Sequence, residues 1–145
     1  MRHHLVLRVV SKLLIPFIIL YGLYVQFHGD FSPGGGFQAG VIVAAAIILY
    51  ALIFGTDRAK QVFKPRILMV MAPLGVMLFA LTGYAALALG GNYLDYDWLA
   101  QNDTAGQHIG ILTVEFGVFL TVVSVMALIF LAFAGRTHEI HDDDW

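Results

Sequence analysis

Glu115 makes the strongest chemical claim in this chain. It stands in the run Thr113-Val-Glu115-Phe-Gly117, with apolar or glycine residues filling the five positions after it. On a helix its neighbours at three and four residues are Ile111, Leu112, Val118 and Phe119. None of these can satisfy a carboxylate. A partner must come from another helix, another subunit or water. An ionisable group inside an apolar span costs a few kcal/mol or more, and it marks an ion or proton pathway by default. The plainer alternative places Glu115 about two turns from the outer surface, within reach of interfacial water.

Further titratable or polar candidates lie nearer the ends of the apolar runs. Lys12 precedes Pro16 by one turn, and its long stem can snorkel to the membrane edge. His28 and Asp30 fall in a first outer turn, and His108 opens the last apolar run. His108 lies two turns before Glu115 on the same helix face. A line from His108 to Glu115 would carry protons inward, because imidazole titrates near physiological pH. Solvated loop histidines are the plain reading of the same residues.

The turn itself reads His28-Gly-Asp30-Phe-Ser32-Pro33-Gly34-Gly35-Gly36-Phe-Gln38-Ala-Gly40. Pro33 followed by three glycines supplies a sharp reversal, with positive φ available at no steric cost. Gly36 and Gly40 are spaced as GxxxG, and Ala44 continues the row, so another helix can approach closely. A sharper reading adds a broken helix start whose free backbone N–H groups, with Gln38, line a polar cavity. Two motif matches fail on context. Gly34-x-Gly36-x-x-Ala39 resembles a dinucleotide fingerprint but has no preceding strand. His138-Glu-Ile-His141 with Asp142, Asp143 and Asp144 reads as a solvated acidic tail over 136–145 rather than a metal cage.

The elements that must position these residues follow from composition. Of 145 residues, 59% are apolar and 12% charged, about half the charge of an ordinary soluble domain. Mean hydropathy is +0.80 and the isoelectric point about 6.3. These values exclude a soluble globular enzyme, a nucleic-acid binder and a disordered adaptor. The absence of cysteine excludes disulfides, thiolate zinc sites and cysteine-held iron–sulfur clusters. Four apolar runs predict an all-α integral membrane protein with spans near 9–27, 37–54, 67–89 and 109–133, joined by short loops. The first run lacks a small-x-small cleavage site, with Tyr24, Gln26 and Phe27 where one would fall, so it reads as a retained span.

All eight Lys and Arg residues lie before span one, between spans two and three, or after span four. The other side carries Asp30, Asp95, Asp97 and Asp103 without a basic residue. Both termini are therefore expected in the cytoplasm, with Trp98, Tyr93 and Tyr96 in an outer aromatic belt. Pro73 should kink span three or free a carbonyl near Met69. Tyr21 with Gly22, and Thr82 with Gly83, read as helix–helix contacts. No internal repeat is visible, and a lone four-helix chain without repeats points to a component of something larger.

Several segments together resemble the MnhB-type subunits of the multi-subunit Mrp (Mnh) cation/proton antiporters. They are Pro16-Phe-Ile-Ile-Leu-Tyr-Gly-Leu-Tyr, the His28–Gly40 turn, Leu78-Phe-Ala-Leu-Thr-Gly-Tyr, Gly90-Gly-Asn-Tyr-Leu and Val114-Glu-Phe-Gly-Val. The similarity runs roughly from Pro16 to Ala132, and Ser-Pro-Gly-Gly-Gly-Phe-Gln is its most specific part. Ala39-Gly40 stands where the family often has Gly-Gly. The resemblance implies a four-helix subunit of the bacterial inner membrane, in a complex of several different subunits. That complex exchanges cytoplasmic Na⁺ for external protons under the proton motive force. Glu115 matches a glutamate of the family's last-span motif. The partners so implied are other antiporter subunits and the lipid bilayer. No cofactor or covalent chemistry is implied, only transported Na⁺ and H⁺. Two rivals keep the same fold: a sodium-module subunit of a membrane-bound hydrogenase-like respiratory complex, and a purely structural subunit that seals larger ones together.

Overall fold

The computed structural model describes residues 5–29, 34–100 and 102–135. Asp30, Ser32 and Pro33 of the turn, and the acidic tail with its histidines, lie outside the described residues. The chain forms α1 (Leu5–His28), α2 (Gly36–Phe54), a short α3 (Thr56–Val62), α4 (Pro65–Ala88), a 3-10 turn (Tyr96–Leu99) and α5 (Asp103–Ala134). α1, α2, α4 and α5 are each long and apolar enough to cross a membrane. The helices outrun the apolar runs: α1 begins at Leu5 and α5 at Asp103, because hydrogen bonding continues past the point where hydropathy falls.

Breakers mark the ends where the chain must turn. Gly35 (φ 113°) precedes α2 and Gly55 (φ 96°) follows it, backbone conformations that an L side chain rarely adopts. Pro65 opens α4 at its first turn, where its missing N–H would be unsatisfied in any case. Pro16 and Pro73 lie inside α1 and α4, as membrane helices allow when neighbours re-satisfy the backbone. Beside Pro73, Thr121 Oγ1 donates to the Ala72 carbonyl at 3.2 Å. This bond ties α5 to α4 beside the proline, whereas the carbonyl that Pro73 deprives of its N–H is that of Met69.

α2 and α5 form the centre, with α1 packed on α2 and α4 packed on α5. The core joins Val43, Ile47 and Ala51 of α2 to Phe119, Val123, Ala127 and Leu131 of α5. The four-residue spacing of each row is one face of a helix. Glycines set the closest approaches. A Cβ on Gly22 would lie 2.7 Å from Val43 Cγ2, and one on Gly117 would lie 2.7 Å from the Gly75 carbonyl. Gly83, in contrast, packs against the ring of Tyr93 in the connecting loop. Gly22 therefore makes the expected helix–helix contact. The 3-10 turn folds back so that Tyr96 covers Gly110. Burial, and then the neighbouring Tyr93, raises the Tyr96 phenol above its ordinary pKa.

The opposite end collects the basic residues. The Arg8 guanidinium lies 5.5 Å from the centroid of the Phe54 ring, a cation–π distance. Lys60 of α3 brings Nζ to 2.8 Å from where a Cβ on Gly135 would be. The ammonium thus meets the C-terminal end of α5, where a cation is favoured.

Candidate functional site

The glycine run between α1 and α2 folds onto Glu115. A Cβ built on Gly35 would lie 2.7 Å from Glu115 Oε1, and one on Gly29 would lie 2.9 Å from Oε2. A Cβ on Gly36 would collide with the Glu115 backbone carbonyl. The turn can approach this closely only because these three positions lack side chains. Gly34, in the same run, meets the Val25 carbonyl of α1 across 3.2 Å from its Cβ position. The carboxylate, itself half-buried, therefore faces the point where α1 stops and α2 starts.

This point is deep along the bundle. Glu115 lies about three turns, or roughly 18 Å, from the start of α5. Gly117 of α5 meets Leu78 and Phe79 of α4, so α4 also continues for about 14 Å past the level of the α1–α2 turn. The turn is therefore flanked by the last part of α4 and the first part of α5. Hydropathy could not show this, because each run reports its own length and not its register against its neighbours.

Gln26 was not a candidate from the sequence. It lies in the last full turn of α1, is 1% exposed, and neither its Oε1 nor its Nε2 has a hydrogen-bond partner. Leaving a buried polar group unsatisfied costs about 1–3 kcal/mol. Its stripe on α1 places it: Gly22, one turn before, meets Ala39, Ile42 and Val43 of α2, and Gly29, just after, meets Glu115 and Gly35. Gln26 therefore lies on the stripe of α1 between its contact with α2 and its contact with Glu115. Its only sequence signal was an amide in the otherwise apolar run Leu23-Tyr-Val-Gln-Phe27.

The other expected residues are spread along the bundle. His28 follows within the same turn of α1, its ring stacked on Tyr24 with centroids 5.0 Å apart. Gly36 and Gly40 face α5, the latter against Val122 and the Phe119 carbonyl, and Ala44 is buried further along. Gln38 is exposed on α2, and Lys12 is exposed on α1 one turn from Arg8, at the basic end. His108 is exposed in the upper part of α5. Between α1 and the α4–α5 pair opens a groove of about 270 Å³ lined by Phe27, Leu78, Leu112, Thr113 and Phe116. Its lining includes neither Gln26 nor Glu115. Among the described residues, no group of three or more His, Cys, Asp or Glu side chains is arranged to hold a metal ion.

The family described as "Domain related to MnhB subunit of Na+/H+ antiporter" matches residues 6–128. The chain belongs to this MnhB family. Relatives from Staphylococcus aureus strains Newman, JH1 and Mu3 / ATCC 700698 carry the name "Putative antiporter subunit mnhB2". Each is 32% identical over 135 residues, covering 90% of this chain and 94% of the relative. The MnhB match takes in Gln26, the glycine turn and Glu115, and ends before the last turns of α5 and the acidic tail.

Proposed function

We propose that the chain is a non-catalytic subunit of a multi-subunit Na⁺/H⁺ antiporter and contributes to its cation and proton translocation module. The observation that carries this reading is the Glu115 carboxylate, held midway along the longest span against the glycine-walled break between two helices. A rigid, side-chain-free wall leaves the carboxylate oxygens room to exchange a proton for a cation. The apolar surroundings make either partner preferable to bare charge. His28 at the end of α1 and His108, two turns before Glu115 on α5, lie toward the acidic end. The chain holds no resident cofactor, and its cargo is Na⁺ and H⁺. The positive-inside bias supports cytoplasmic termini in a bacterial inner membrane.

Mild-detergent purification of the tagged chain, with identification of what accompanies it, tests the subunit reading. Large antiporter subunits without metalloproteins are expected. Hydrogenase or iron–sulfur partners would move the chain to a redox-driven pump, and recovery of an active single chain would overturn subunit membership. Glu115 variants in the intact complex then test the translocation role.

A further inference from the structure

We propose that Gln26 supplies the neutral oxygen ligand of a monovalent-cation site whose anionic ligand is Glu115. This rests on Glu115 belonging to the translocation path. Among the described residues at the helix break, Gln26 is the one side chain that is fully enclosed and has neither polar atom hydrogen-bonded. Ser124 shares that condition but differs in kind. It lies more than two turns further along α5, and a helical serine satisfies itself by rotating toward the carbonyl four residues back. A glutamine amide has no such escape, since its carbonyl and its NH₂ both need outside partners. Natural structures rarely retain such a group without a ligand or an ordered water to meet it.

The chemistry around it selects a small hard cation. The donors gathered here are oxygens: the Gln26 amide, the Glu115 carboxylate and the last carbonyls of α1, which have no intrahelical N–H to meet. No nitrogen or sulfur ligand set is present among the described residues. One carboxylate balances one positive charge, which suits a monovalent ion. The same pair accommodates the proton form, in which the Glu115 carboxyl donates its O–H to Gln26 Oε1. Exchange is balanced: the cation enters, the Glu115 O–H bond breaks, the electron pair stays on the carboxylate and the proton leaves.

The test uses the whole complex in everted membrane vesicles, titrating Na⁺ against proton efflux. Gln26→Met keeps length and volume while removing both polar atoms. It should raise half-saturating Na⁺ tenfold or more, leave the rate at saturating Na⁺ within about twofold, and leave the subunit level unchanged. Gln26→Asn keeps the amide one methylene short and should assemble with an intermediate half-saturation. A purely structural glutamine would change protein level and leave half-saturation alone. Wild-type half-saturation in Gln26→Met, or in Gln26→Asn where the methionine variant does not assemble, overturns the proposal. Loss of flux in Glu115→Gln alongside a wild-type Gln26→Met overturns this inference alone. Retained flux in Glu115→Gln overturns the reading beneath it.

Discussion

Glu115 and Gly35 touch across the bundle: a single methyl group on Gly35 would lie 2.7 Å from the Glu115 Oε1. Gly35 also holds φ at 113° with ψ at −177°, a combination found almost only in glycine. Gly35→Ala therefore carries two penalties at once. Backbone strain alone is worth about 1–3 kcal/mol, and the carboxylate must shift. The expected outcome is a lower melting temperature for the complex together with reduced exchange. Gly34→Ala is the comparison, since its nearest neighbours stand at 3.2 Å or beyond, and it should cost markedly less. Thermal melting of both variants in detergent checks the order.

Gly75 and Gly117 let α4 and α5 meet almost backbone to backbone. A Cβ on Gly75 would strike Thr121 and the Gly117 carbonyl, and neither can move without parting the helices. Gly75→Ala should destabilise by about 1–3 kcal/mol, as overpacking does. It should lower the amount of protein in the membrane without changing half-saturating Na⁺ in what remains. Immunoblotting beside a Na⁺ titration separates the two quantities. Gly55→Ala meets nothing within 4 Å and adds only the strain of φ 96°, so its loss should come from the backbone alone.

The chain contains no cysteine, so single-cysteine labelling needs no background removal. Gln61→Cys on α3 and Asn92→Cys in the loop after α4 are both exposed and lie at opposite ends of the bundle. With the basic end cytoplasmic, an impermeant thiol reagent should label Asn92→Cys in spheroplasts and Gln61→Cys only in everted vesicles. Labelling in the reverse order would invert the topology.

Lys60 meets the C-terminal end of α5 through its ammonium. Removing a cation from a helix C-terminus costs about 0.3–1 kcal/mol, less in salt. Lys60→Ala should thus lower the melting temperature slightly, with the difference shrinking as NaCl rises. Exchange kinetics should be untouched, because Lys60 lies at the end of α5 far from Glu115.

Hydropathy was enough to find four spans, and an isolated carboxylate was enough to single out Glu115, because both signals are local to one helix. Gln26 was invisible for the opposite reason. An amide near the end of an apolar run reads as the wet edge of a span, and only the packing of other elements on α1 encloses it. Likewise, the glycine run announced a tight turn, yet nothing in it says that the turn sits three turns down α5 and against Glu115. Inter-helix register is a property of side-chain packing between elements far apart in sequence. Gly36 and Gly40 come closest to encoding it, since small residues at this spacing mark a face that another helix must approach. They did not say which helix.

The most direct measurement is Na⁺-dependent proton efflux from everted vesicles carrying the complete complex with Glu115→Gln or Glu115→Asp, at matched subunit levels. If the carboxylate carries the exchanged ion, Glu115→Gln should lose at least tenfold in rate across the pH range, and Glu115→Asp should retain a measurable fraction with altered half-saturation. Full exchange in Glu115→Gln at normal protein level would contradict a role for Glu115 in translocation and leave the chain as a seal between larger subunits.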